Sequence, residues 1–158
     1  MFGYQNVKAQ RQRGVAAVEF AIILPLLIGL LAFPFFFGRV SLYYSVAQKA
    51  AQNAAAYLAT VPKVEMHDNN KSAAARDMAE EIVNATIAEL GPGELGGIGF
   101  VIECDGGACG VGAVPEDLIT VKIRITMYDE YFPYITWVIL GDGPLVLDAK
   151  ATVKYLGQ

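Results

Sequence analysis

The chain reads as an α+β protein: a long N-terminal transmembrane helix continuing into a small domain with a second helix and an antiparallel sheet. Three observations predict this. An uncharged run rich in Leu, Ile and Phe extends from Phe20 to Gly38. Further on, Met78, Ala79, Ile82, Val83, Ile87 and Leu90 recur at three- and four-residue spacing, the period of a helix with one apolar stripe. Two later segments alternate apolar and polar residues with a period of two, the pattern of half-buried strands.

The first element follows from charge and length. The 158 residues leave room for one compact domain, and 54% of them are apolar. That excess is concentrated between Glu19 and Arg39. At 1.5 Å of rise per residue, about 20 helical residues cross a hydrocarbon core roughly 30 Å thick. Lys8, Arg11 and Arg13 precede the run, with no acidic residue among residues 1–14, which predicts a cytoplasmic N-terminus and an extracytoplasmic C-terminal part. A cleaved secretory signal needs a shorter apolar core and a small-x-small site beyond it. This run ends instead in Pro34-Phe35-Phe36-Phe37-Gly38-Arg39, so the segment reads as retained. From Ser41 to Thr60 the chain turns alanine-rich, which extends the helix beyond the membrane. Pro25 and Pro34 are expected to kink or loosen it, and Pro62 to follow its end. Three parts result: a basic leader at 1–14, the hydrophobic helix at 15–60 and the extracytoplasmic domain at 61–158.

Within that domain the second helix is expected over Ser72–Leu90, with capping candidates at Asp68 to Asn70 and a stop at Gly91-Pro92. Ile98 to Cys104 reads as a short strand. Ile119, Val121, Ile123, Ile125 and Met127 alternate with polar neighbours, as do Leu145, Leu147, Ala149, Ala151, Val153 and Tyr155. Such strands form an antiparallel sheet with one wet face, and the two helices are available to cover the other. Between them, Tyr128 to Leu140 holds Tyr131, Phe132, Tyr134 and Trp137 and too few polar residues for a surface loop. Core packing and contact with a membrane interface or another subunit both remain open for it. Cys104 and Cys109 enclose Asp-Gly-Gly-Ala. In an oxidising compartment they read as a local disulfide contributing about 2 kcal/mol by loop entropy, and otherwise as two free thiols.

The strongest local signal is Arg13-Gly14-Val15-Ala16-Ala17-Val18-Glu19-Phe20: a basic leader ending in glycine, then an apolar stretch with glutamate at its fifth position. Glycine lets a peptidase grip the backbone closely. Glu19 lies about 9 Å along the helix from Arg13. An unpaired intramembrane carboxylate costs perhaps 2.5 kcal/mol or more, so such acids are functional suspects. Cleavage between Gly14 and Val15 would create an ammonium at Val15, a ready partner for Glu19. The alternative, a snorkelling Glu19 beside an incidental Gly14, leaves the coincidence of leader, glycine and glutamate unexplained.

Residues Arg13-Gly14, Ala17 to Ala21, Leu24 to Leu27, Phe37-Gly38-Arg39 and Gln52 to Ala55 together resemble the N-terminal region of TadE-like proteins, pseudopilins of the tight-adherence (Flp, type IVb) pilus system. The close resemblance covers residues 13 to about 59. Many relatives carry an acid just before Phe-Gly-Arg, where this chain has Phe36. The resemblance implies a pilin-like fold, a single pass through the bacterial inner membrane, and processing there by a prepilin peptidase after Gly14. It further implies a minor pilin or pseudopilin role supporting pili or the associated secretion machinery, with other pilin subunits and the pilus assembly platform as partners. Glu19 and Phe20 would serve assembly. A bitopic anchor with an extracytoplasmic partner-binding domain is the alternative function.

No catalytic constellation stands out, and no enzyme activity, cofactor or metal is expected. His67 is the only histidine, the glycines from Gly91 to Gly97 lack the Lys-Ser/Thr of a phosphate loop, and the basic residues form no stripe for nucleic acid.

Overall fold

A computed structural model describes residues 6–90, 95–128, 133–141 and 143–157. The chain divides into two compact units, Met1–Arg39 and Val40–Gln158. One helix, α1 (Asn6–Thr60), supplies the first unit and enters the second. Its stretch from Gly14 to Thr60 is long and apolar enough to cross a membrane. Within the first unit the large apolar side chains from Val15 to Phe37 stand exposed, Phe36 apart, Ile22 at 70% and Leu26 at 74% among them. An apolar surface of that extent is one that lipid or a protein neighbour covers. The helical assignment runs without a break through Pro25 and Pro34. In a hydrocarbon environment the carbonyls that prolines leave without a donor are re-satisfied by neighbouring helices or local adjustment.

The second unit is an α+β domain. Its portion of α1 places Ala47, Ala50, Ala51, Ala54, Ala55 and Leu58 wholly out of solvent, at the three- and four-residue spacing of one helix face. Lys49, Gln52 and Asn53 occupy the exposed side. The helix stops at Thr60, and Pro62 then stands at the N-cap of the short α2 (Lys63–His67). Helix α3 (Asn69–Ala88) starts three residues earlier than the apolar stripe alone predicts. The cause is Asp68, whose Oδ1 accepts from the backbone N–H groups of Asn70 at 2.9 Å and Lys71 at 3.1 Å. Ala75, Ala79, Val83 and Ile87 form its buried face.

Strands β1 (Leu95–Cys104), β2 (Gly107–Ala108), β3 (Leu118–Met127) and β4 (Leu145–Lys154) make one antiparallel sheet in the order β2-β1-β3-β4. The period-two pattern holds. Ile119, Val121, Ile123, Ile125 and Met127 are buried, as are Ala149 and Ala151 of β4, and they join the α1 and α3 faces in one core. The connection from β3 to β4 contains a helix, α4 (Pro133–Leu140), that periodicity did not reveal. Eight residues with hardly a polar group offer no contrast between faces, so there is no period to read.

The end of α1 is locked by the C-terminal residues. Leu156 donates its N–H to the carbonyl of Ala59 at 3.1 Å, and the buried Tyr155 hydroxyl donates to the carbonyl of Val61 at 2.8 Å. The alanine face tolerates little added volume. Replacing Ala54 by Leu should cost about 1–3 kcal/mol through overpacking. The same change at the exposed Ala56 should stay within about 0.5 kcal/mol. Thermal unfolding of the full chain in detergent, followed by near-UV circular dichroism, checks the difference.

Candidate functional site

Gly14, Val15, Glu19 and Phe20 all lie on α1 in the first unit, and all are exposed. A Cβ built at Gly14 meets nothing within 4 Å. Glycine in a helix interior costs about 1 kcal/mol relative to alanine, so the fold supplies no reason for it there. Glu19 is the only charged residue between Gly14 and Gly38 and makes no hydrogen bond or ion pair among the described residues. Val15 and Glu19 are four residues apart, one helical turn, and share a face. Phe36 is buried, with its ring edge-on to that of Phe37 at 5.6 Å.

The cysteines form a disulfide, Cys104–Cys109, with their Cα atoms 4.9 Å apart. It closes a hairpin that the sequence does signal. Glu103 pairs with Ala108 and Cys104 with Gly107, which leaves Asp105-Gly106 as a two-residue turn with φ of 50° and 86°. Both central residues of such a turn need positive φ, hence the preference for Asp-Gly. Asp105 does more than turn the chain. Its carboxylate accepts from the N–H groups of Glu116 at 2.7 Å, Asp117 at 2.9 Å and Leu118 at 2.8 Å. These bonds, that of Glu116 first, hold the carboxyl below the ordinary aspartate range. The disulfide loop is tied to α3 as well, since the Arg76 guanidinium donates to the carbonyl of Cys109 and the N–H of Gly112 to the Ser72 hydroxyl.

The exposed face of the sheet holds a shallow groove of about 530 Å³ lined by Gly99, Val101, Glu103, Lys122, Arg124 and Asp148 among others. Its charges are largely spent on each other. Lys122 is paired with Glu103, and Arg124 makes two bonds to Asp148, at 2.7 and 3.2 Å, which lower the Asp148 carboxyl's pKa. Among the described residues no group of three or more His, Cys, Asp or Glu side chains could hold a metal ion. Of the aromatic patch, Tyr134 and Trp137 are exposed on α4, whereas Tyr131 and Phe132 lie outside the described residues.

The described structure thus joins a lone carboxylate on an exposed apolar helix to a small disulfide-closed α+β domain. Residues 14–56 match the family model of TadE-like proteins, in agreement with the resemblance read from the sequence. The match covers 43 of the 158 residues and ends within α1, before the sheet begins. No curated protein and no solved structure gives a significant match.

The Asp105 bonds make the loop acid-sensitive. A carboxyl whose folded pKa is lowered contributes its full stabilisation above its unfolded value of about 4, and loses it as pH falls through the lowered value. Amide exchange at Glu116, Asp117 and Leu118 should therefore accelerate below about pH 4 relative to β3 interior amides. Asp105→Ala should show the acceleration already at neutral pH. Asp105→Asn should lie between, because its single carbonyl oxygen can serve Asp117 and Leu118 but not Glu116.

Proposed function

We propose that the chain is a minor pilin or pseudopilin, processed by a prepilin peptidase between Gly14 and Val15, that supports assembly of Flp-type pili or the associated secretion machinery. The observation that carries the reading is the isolated Glu19 on an otherwise uncharged helix, four residues after the glycine boundary. Residues 1–14 are the cytoplasmic leader, α1 is held in the inner membrane, and the second unit stands outside it.

Cleavage changes the electrostatics of the helix. The new ammonium at Val15 lies one turn, about 6 Å along the axis, from Glu19 of the same chain. An incoming subunit brings a second carboxylate and a second ammonium into the same low-dielectric layer. Pairing across subunits relieves a cost of about 2.5 kcal/mol or more for each carboxylate left alone. It also sets the axial register, because the pair forms only at one relative height. Phe20 and the exposed apolar side chains that follow it add contact area without specifying register.

Three results are expected. Protein extracted from membranes should begin at Val15 when the prepilin peptidase is present and keep its leader when the peptidase is absent, as read by intact mass and N-terminal sequencing. Gly14→Val should abolish cleavage without disturbing the helix, since no neighbour opposes the added side chain. Glu19→Gln should leave cleavage intact and abolish incorporation into the assembly, measured by co-purification with the pilus subunits. An uncleaved chain beside a processed control substrate would instead support the bitopic anchor with a partner-binding domain.

A further inference from the structure

The aromatic helix α4 acquires a meaning from where the topology tethers it. Within the second unit, α1 and β4 run side by side in the same direction. The Gln48 side chain donates to the carbonyl of Lys150 at 2.9 Å, and Leu156 donates to Ala59 at 3.1 Å. Lys150 is thus level with Gln48, and the C-terminal residues are level with the end of α1. The start of β4, Leu145, consequently stands toward Val40, the first residue of the unit. The register places Met127 opposite Leu145, and Leu95 opposite Met127, along that same edge. Helix α4 lies in the connection between Met127 and Leu145, so both its tethers are at the Val40 end.

That end is distinct in chemistry. The described stretches that reach it, residues 40–48, 95–102, 125–128, 133–141 and 143–147, contain no Asp, Glu, Lys, Arg or His, while Glu94, Asp129, Glu130 and Asp142 of the same connections lie outside the described residues. Charge begins at the Arg124–Asp148 pair and gathers toward the opposite end, with Glu103, Asp105, Glu116, Asp117 and Lys154. On α4 the exposed side chains are apolar or aromatic: Tyr134 at 83%, Trp137 at 60% and Val138 at 72%. Tyr44 and Tyr128 are exposed at the same end. A water-facing helix would carry a polar side.

We infer that this end of the domain is seated in the headgroup layer of the bilayer, with Tyr134, Trp137 and Val138 of α4 as its anchor. The inference rests on the membrane-anchored reading of α1. Val40 follows the uncharged run by two residues, about 3 Å of helix, so a bilayer that holds residues 20–38 has its surface at Val40. Indole and phenol rings prefer that layer, where the ring body is shielded and the N–H or O–H remains hydrated. Lipid is the occupant because the described side chains of the patch are apolar or aromatic and the patch is continuous along the chain with the lipid-soluble segment.

Trp137 is the only tryptophan, so its fluorescence reports on α4 alone. The full chain, reconstituted at high dilution into phosphatidylethanolamine–phosphatidylglycerol vesicles, is expected to emit at shorter wavelength than urea-denatured chain. Spin labels near the headgroups should quench it about twofold more than labels at the acyl-chain ends, as interfacial residence requires. Flotation separates the two levels of the argument. A chain that does not float with the vesicles overturns the anchor and the seat together. If it floats while Trp137 is open to aqueous acrylamide and indifferent to headgroup labels, the seat alone is overturned. Protection from both quenchers would place the patch against protein and likewise overturn it.

Discussion

The alanine face of α1 is the constraint on which the domain depends. A single helix has to present Leu, Ile and Phe on an exposed apolar surface in the first unit and then serve as the central core element of the second. Continuing with large side chains would have filled the space that the sheet needs. Alanine at 47, 50, 51, 54 and 55 instead lets the helix backbone come close, and the sheet supplies the volume through Ile119, Ile123 and Ile125. Small on the helix and branched on the strand is a packing solution that keeps helix propensity at its maximum while leaving no void. The hydrogen bonds from Leu156 and Tyr155 to the end of α1 then fix how far the helix penetrates the domain.

Much of this was legible because it rests on periodicity. The strands β3 and β4 alternate so regularly that their buried sets could be written down residue by residue, and the α3 stripe was equally plain. The places where reading fell short share a physical cause. Helix α3 begins at Asn69, three residues ahead of its apolar stripe, because Asp68, one of the capping candidates in the sequence, accepts the first free backbone N–H groups. Helix α4 is apolar on all sides and so has no period. The Asp105-Gly106 turn did carry a recognised two-residue signal, but the flanking cysteines drew the reading toward the disulfide. The triple acceptor role of Asp105 depends on residues eleven to thirteen positions away, which no local pattern encodes.

The residues proposed for processing and assembly stand out for a different reason: they violate what folding alone would select. Gly14 lowers helix stability with no neighbour that requires it, and Glu19 interrupts an apolar surface. Local rules broken without a compensating contact mark functional positions. The comparison with TadE-like proteins covers this same stretch, which leaves the sheet domain to be understood from its own physics.

Charge usage sharpens the contrast between the two units. In the second, acidic groups have found partners within the chain: Glu103 on Lys122, Asp148 on Arg124, and Asp105 on three backbone N–H groups. These carboxylates stand where water would have solvated them in any case, so each could have been left alone at small cost. Glu19 is the reverse. Within lipid an unpaired carboxylate is at its most costly, and among the described residues Glu19 has no partner. On the reading proposed above, the amine released at Val15, of the same chain or of a neighbouring subunit, is the group that relieves this cost.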